Sequence, residues 1–127
     1  MMGISEKEKD NPLESTEQIN LIAWCKLHEQ EFKGLNLIHA IPNGGARNAR
    51  EAMKMKREGV KSGVCDLFIP VPKRGFHGLY IEMKRVKGGV INSSQHDFMD
   101  EVKKNGYCVR VCRGCDAAIK NIIWYFS

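Results

Sequence analysis

Two carboxylates occupy positions that apolar strands would normally bury. Asp66 lies inside Val64-Cys65-Asp66-Leu67-Phe68-Ile69, and Glu82 lies inside Leu79-Tyr80-Ile81-Glu82-Met83-Lys84. A carboxylate in such a place loses hydration and needs a compensating partner. The intervening Pro72-Lys73-Arg74-Gly75-Phe76 reads as a hairpin loop. Folding the chain about Arg74 sets Asp66 against Glu82, since each lies eight positions from that centre. Opposed residues have Cβ atoms about 4.5–5.5 Å apart and point to one face, so the two like charges repel. A divalent cation between them reverses the sign of that interaction. Lys84 stands two residues beyond Glu82 and projects from the same face. The pattern D-x(15)-E-x-K thus offers a cation site beside an ammonium. The plain alternative is an exposed polar face with an ordinary Glu–Lys pair.

Two more polar residues are placed to join this group. Gln95 lies one helical turn before Phe98 and Met99, on the inward side of its helix. There it needs hydrogen-bond partners, although a helix-start residue would look the same. Glu17 opens the first helix, where a carboxylate also suits the helix dipole.

The elements that must position these residues can be read along the chain. Residues 1–14 are polar and read as a frayed terminus, and residues 15–127 form a single domain. Ser15 and Thr16 can cap a helix from about Glu17 to Phe32, with Ile19, Ile22, Ala23 and Leu27 at helical spacing. Leu37 to Ile41 reads as a short strand, stopped by Pro42-Asn43-Gly44-Gly45. Residues 46–58 are helical by composition. Val64–Val71 and His77–Arg85 are the two strands of the hairpin. Asn92, Ser93 and Ser94 offer caps for a helix to about Asn105. Tyr107–Cys112 is a fourth strand, and Asp116 can cap a last helix with Ile119, Ile122, Ile123 and Phe126 on one face. The order α-β-α-β-β-α-β-α predicts an α/β domain with a mixed central sheet of about four strands flanked by helices.

Composition narrows the partners. The 127 residues are 43% hydrophobic and 28% charged, which excludes wholesale disorder. No apolar run reaches the ~20 residues of a membrane span, and the N-terminus lacks the apolar core of a secretion signal. The expectation is an intracellular, cytoplasmic chain without a membrane partner. A net charge of +5 permits a nucleic-acid partner. Arg47, Arg50, Lys54, Lys56, Arg57 and Lys61 crowd the second helix and its exit, and Lys73, Arg74, Arg85 and Lys87 frame the hairpin. Such runs are usually solvated faces; flanking the acids, they are also candidates for phosphate contacts. Asn43-Gly44-Gly45 offers either an open backbone for phosphate approach or simply a tight turn. The cysteine count is five, too odd for full pairing. Cys108 and Cys112 would sit about 13 Å apart in one strand, too far to ligate a single zinc. Buried, inert thiols are the better expectation.

With these residues assembled, the chain resembles the VRR-NUC family, the virus-type replication-repair nucleases of the PD-(D/E)xK superfamily. The resemblance runs from about Glu17 to Tyr125. It is carried by Ile41-Pro42-Asn43-Gly44-Gly45, the Lys54–Gly63 stretch, Cys65-Asp66-Leu67, Ile81-Glu82-Met83-Lys84, Ser94-Gln95 and Gly106-Tyr107. It implies a restriction-endonuclease-like fold. Asp66 matches the motif aspartate, Glu82 the second metal-binding acid, Lys84 the lysine, Gln95 the glutamine after the hairpin and Glu17 the acid on the first helix. Cys65 departs from the pattern, standing where the superfamily often has proline. The resemblance further implies Mg²⁺ or Mn²⁺ held by Asp66, Glu82 and the main-chain carbonyl of Met83, with Glu17 acting through water. Lys84 would orient the attacking water or stabilise the charged transition state, and Gln95 would position the phosphate or the lysine. Asn43, Arg47, Arg50, Lys54, Lys61 and Arg85 are the candidate DNA contacts. The activity implied is divalent-metal-dependent endonucleolytic hydrolysis of branched DNA, such as four-way (Holliday) junctions, in replication, recombination or repair. The family pattern for stand-alone phage or bacterial members implies a homodimer. Ile122-Ile123-Trp124-Tyr125-Phe126 offers apolar surface for it, unless Trp124 and Tyr125 cover the monomer's own core. The competing readings are a non-catalytic nucleic-acid-binding module on the same basic face, and an interaction protein whose acids form an ordinary salt-bridge cluster.

Overall fold

The computed structural model describes residues 10–42 and 45–127. The elements are α1 (Glu14–His28), a 3-10 turn (Leu35–Leu37), β1 (His39–Ala40), α2 (Ala49–Arg57), β2 (Leu67–Ile69), β3 (Leu79–Lys84), α3 (Ser93–Lys104), β4 (Cys108–Arg113) and α4 (Cys115–Phe126). They follow the order expected from the sequence. The strands form one four-stranded mixed sheet in the order β1-β2-β3-β4. The first two pairings are antiparallel and β3–β4 is parallel, joined by the crossover helix α3.

The hairpin between β2 and β3 contains a register shift. At its tip Lys73 bridges Phe76 around Arg74 and Gly75, whose φ angles are 53° and 84°. Positive φ at both central residues is the two-residue turn that suits the twist of a hairpin. Counted outward from that tip without interruption, Asp66 would face Met83. The ladder instead pairs Ile69 with Leu79, Phe68 with Tyr80 and Leu67 with Ile81. Pro70-Val71-Pro72 therefore stands opposite only His77-Gly78, a bulge of one residue. Neither proline has an N–H to offer a ladder, which places the irregularity there. One step past Leu67–Ile81, Asp66 comes opposite Glu82.

The sheet buries both faces unequally. Leu67, Ile69, Leu79, Ile81, Met83, Cys108 and Cys112 pack against Leu21 and Cys25 of α1 and Ala118, Ile122 and Tyr125 of α4. Each such fully buried Leu or Ile stabilises the fold by roughly 1.5–3 kcal/mol. The other face is covered by α3, where Met99 meets Cys65 and Val109, flanked by Tyr80 and Phe98. Asp66, Glu82 and Lys84 stand at the far end of this second face, along the line of Phe68 and Tyr80.

Several boundaries differ from the sequence reading. Helix α1 spans Glu14–His28 rather than Glu17 to Phe32. Phe32 turns inward instead, its ring 6.2 Å from Trp24 and 5.8 Å from Phe126. The first strand shortens to His39–Ala40, because Gly34 (φ 98°) starts a 3-10 turn that buries Leu35. The second shortens to Leu67–Ile69, with the proline bulge on one side and a bend at Asp66 on the other. Helix α4 begins at Cys115, before Asp116, and Gly114 occupies its N-cap position without a side-chain cap.

The last helix does not hold its aromatic residues free. Tyr125 is fully buried and its hydroxyl donates to the Val71 carbonyl at 2.6 Å. The guanidinium groups of Arg74 and Arg110 both lie over the Trp124 ring, 4.3 and 4.4 Å from its centre. The expected apolar dimer surface at Trp124 and Tyr125 is thus used within the chain. Ile123 alone of residues 122–126 is exposed, at 41%, and α1 carries the more exposed Ile19 (68%) and Leu27 (81%). No helix among the described residues is long and apolar enough to cross a membrane.

Candidate metal centre and active site

Asp66 is fixed from both its backbone and its side chain. Its carbonyl accepts the Ile41 N–H at 2.8 Å, which continues the β1–β2 pairing. Its Oδ2 accepts the Met83 N–H at 2.7 Å. The Lys84 carbonyl faces the other way and accepts the Gly114 N–H beyond β4. By the alternation of a strand, the N–H and carbonyl of Met83 therefore both face Asp66. Glu82 projects from β3 beside Asp66 and is only 1% exposed.

Gln95 reaches Glu82 with its amide already oriented. The Asn92 side chain accepts the Gln95 N–H at 2.9 Å, and Gln95 Oε1 accepts the Asn92 N–H at 3.0 Å. This reciprocal capping box opens α3. With its oxygen so engaged, the amide turns its Nε2 to Glu82 Oε2, donating at 3.3 Å. The helix-start role and the inward role of Gln95, alternatives from sequence, belong to one side chain. Lys84, 8% exposed, places Nζ 4.0 Å from the same Glu82 oxygen. The other oxygen, Glu82 Oε1, is buried and has no hydrogen-bond partner.

The third acid is Glu14, not the expected Glu17. Glu14 is the first residue of α1, and one carboxylate oxygen from each of Glu14, Asp66 and Glu82 lies within 4.8 Å of the others. Glu17, one turn later, is buried elsewhere: its Oε1 accepts the Cys115 N–H at 3.2 Å. There it caps α4 from a different helix, filling the place left by the glycine N-cap. Acids three apart on a helix share a face, so the sequence could not separate Glu14 from Glu17 without the point at which the helix begins. The signal available was Pro12, a residue that favours helix starts.

Crowding sets the electrostatics. Burial, with Asp66 and Glu14 acting in the same direction and Lys84 opposing them, raises the Glu82 carboxyl to about 8. Burial also raises Glu14, with Asp66 adding to the effect and Lys84 countering it. The centre is therefore short of positive charge. Burial takes the thiols of Cys25, Cys65 and Cys112 up to about 12, so they stay protonated at neutral pH.

The candidate DNA contacts fall into three groups. Arg47, Arg50, Lys54 and Lys61 are exposed on or beside α2, a helix with no buried residue. Arg85 points elsewhere: its Nε donates to the Pro12 carbonyl at 3.1 Å and its Nη2 to the Asn11 carbonyl. Asn43 lies outside the described residues.

The VRR-NUC domain model matches residues 4–116. The chain belongs to the VRR-NUC family. A solved structure described as a VRR_NUC domain protein is 32% identical, with a TM-score of 0.75, covering 91% of this chain and 88% of that one. No curated protein matches the chain. The VRR-NUC match takes in the hairpin, α3 and β4 whole, and so includes Asp66, Glu82, Lys84 and Gln95. The four-stranded mixed sheet flanked by helices is the nuclease-type fold of this family.

Proposed function

We propose that this VRR-NUC chain is a divalent-metal-dependent DNA endonuclease whose centre is Asp66, Glu82, Glu14 and Lys84. The observation that carries the reading is the buried, unpartnered Glu82 Oε1 within a cluster of three carboxylates. Two half-buried acids brought this close to a buried one are costly unless a cation joins them. The donor set fits Mg²⁺ or Mn²⁺, because it consists of hard oxygens: the three carboxylates and the Met83 carbonyl on the same edge. A divalent cation held there supplies positive charge to a phosphate and acidifies water in its shell.

The chain's own residues account for the remaining requirements. Lys84 brings an ammonium to the edge of the centre, where it offsets charge growing on a phosphate oxygen. Gln95 holds Glu82 Oε2 in place, so the carboxylate does not have to be ordered during the reaction. The Met83 N–H fixes Asp66 in the same way. Arg47, Arg50, Lys54 and Lys61 give the non-specific hold on the DNA backbone.

The preferred substrate in this proposal is branched DNA, cut by a homodimer. The described residues carry one such centre, and two related strand breaks call for two centres in matching orientation. The test is a cleavage panel of duplex, flap, splayed and four-way DNA with Mg²⁺, Mn²⁺ or EDTA. Metal-dependent cuts in branched substrates that vanish in Glu82→Gln are the expected result. DNA binding without cleavage under every metal would favour a non-catalytic binding module.

A further inference from the structure

Resting on the metal reading above, we propose that Arg85 is a positioning residue that holds Glu14 at the centre through a clamp on Asn11 and Pro12. Glu14 needs such a device. Leu13, the N-cap residue of α1, makes no side-chain capping bond and is 51% exposed. The first buried residue of the helix is Glu17, and the first buried apolar one is Leu21. Among the described residues no buried apolar side chain anchors the opening turn; Glu17 ties its far end to α4, which leaves the end at Glu14 to be held, and free helix ends fray.

The clamp supplies the anchor through four hydrogen bonds. Arg85 donates from Nε and Nη2 to the carbonyls of Pro12 and Asn11. The Asn11 amide pairs with the backbone of Lys87, donating to its carbonyl and accepting its N–H, both at 3.0 Å. The planar guanidinium fork suits two carbonyls on adjacent residues, which a lysine cannot grip in the same way. The base of the clamp is itself braced. Arg113, the last residue of β4, donates to the carbonyls of Arg85, Gly88 and Gly89. Arg85 directly follows Lys84, so the clamp ties the backbone just before Glu14 to the strand that carries Glu82 and Lys84. The third carboxylate is thereby set against the other two.

The experiment titrates Mn²⁺ into the 127-residue wild type, Arg85→Ala, Arg85→Lys, Asn11→Ala, Glu14→Gln and the double variant Arg85→Ala/Glu14→Gln, by calorimetry without DNA. Circular dichroism confirms folding of each variant. Arg85→Ala should weaken Mn²⁺ binding about tenfold, as loss of a group that orients a metal ligand does. Asn11→Ala should weaken it in the same direction, and Arg85→Lys should restore only part of the loss. Adding Arg85→Ala to Glu14→Gln should cost nothing further, because the clamp acts through Glu14. A folded Arg85→Ala with wild-type Mn²⁺ affinity overturns the clamp while leaving the metal reading intact, and so does a loss additive to that of Glu14→Gln. The same holds if Arg85→Ala weakens only DNA binding, measured with Ca²⁺. A wild type that takes up no Mn²⁺ overturns both.

Discussion

Asp66 and Glu82 face each other because a bulge of one residue lies between them and the hairpin tip. The turn at Arg74-Gly75 alone would set Asp66 against Met83 and so turn it to the face of the sheet away from Glu82. A register slip of one residue flips every side chain of a strand, so the proline bulge decides whether the acids meet at all. Burial, with Asp66 adding to it, makes Glu82 basic for a carboxyl, and that has a consequence for stability.

Glu82 has a folded-state pKa raised from the usual carboxylate range to about 8 by burial, with Asp66 and Glu14 adding to it. The native state therefore binds a proton that the unfolded chain releases between about pH 4.5 and 8. Without metal, stability should fall as pH rises through that window. Glu14, shifted in the same direction, adds to the slope. Thermal melts in EDTA from pH 5 to 9 should show it for the wild type. Glu82→Gln should flatten the profile and melt higher than wild type at pH 8–9. Excess Mn²⁺ should stabilise the wild type more at pH 8 than at pH 6, because the cation competes with the proton.

Glu14 and Glu17 should separate cleanly. Glu14→Gln should weaken metal binding and lower cleavage with little change in melting temperature. Glu17→Gln should keep the metal affinity but destabilise the fold by about 1–2 kcal/mol, the scale of a buried hydrogen bond from a charged acceptor. Calorimetric Mn²⁺ titrations and urea melts of the two variants check this, and matching profiles would return Glu17 to the centre.

What the sequence made legible and what it hid divide along physical lines. Element order, the mixed sheet and the Asp66–Glu82 pairing follow from local signals: apolar periodicity, turn residues and the spacing of acids. The pairing was reached from a turn centred on Arg74, whereas the molecule reaches the same sum through a tighter turn plus a bulge. Roles that depend on a partner distant in the chain were not legible. Glu17 caps a helix 98 residues away. Arg85, one of a series of exposed-looking basic residues, grips carbonyls 73 and 74 residues earlier. Trp124 packs against two arginines that no periodicity would pair with it.

Loss of catalytic groups should leave the fold in place. Asp66→Asn, Glu82→Gln and Lys84→Ala should each abolish most metal-dependent cleavage of a four-way junction. Melting temperatures should be maintained or, for the two acid variants in EDTA, raised, since like-charge repulsion is relieved. Full activity of either acid variant at saturating metal and substrate would remove that residue from the mechanism.

Gln95 allows its two roles to be tested apart. Gln95→Glu keeps an oxygen acceptor for the Asn92 N–H, so the capping box and the start of α3 should survive. It places a further carboxylate against Glu82 Oε2, where the amide N–H now donates. Cleavage at pH 7 should fall strongly while the melting temperature at that pH stays near wild type. Gln95→Ala should lower both, because it removes the cap and the contact together. Equal activity of Gln95→Glu and wild type would confine Gln95 to capping.

The homodimer in the proposal needs more surface than the last helix offers, since Tyr125 is buried, Trp124 is stacked within the chain and only Ile123 of residues 122–126 is exposed. Ile19 and Leu27 lie on one stripe of α1, with the exposed Ala23 between them at helical spacing. Exposed Ile and Leu in such a line favour burial against a like stripe, and a two-fold contact of that kind uses the same residues from both copies. Sedimentation velocity at micromolar concentration should show a dimer for the wild type. Ile19→Lys combined with Leu27→Lys should shift it to monomer without unfolding, because neither side chain belongs to the core. The monomeric variant should still nick a branched substrate while losing paired cuts within one junction, read on supercoiled cruciform DNA as nicked rather than linear product. Linear product from a variant that sediments as a monomer would show that one chain suffices for both cuts.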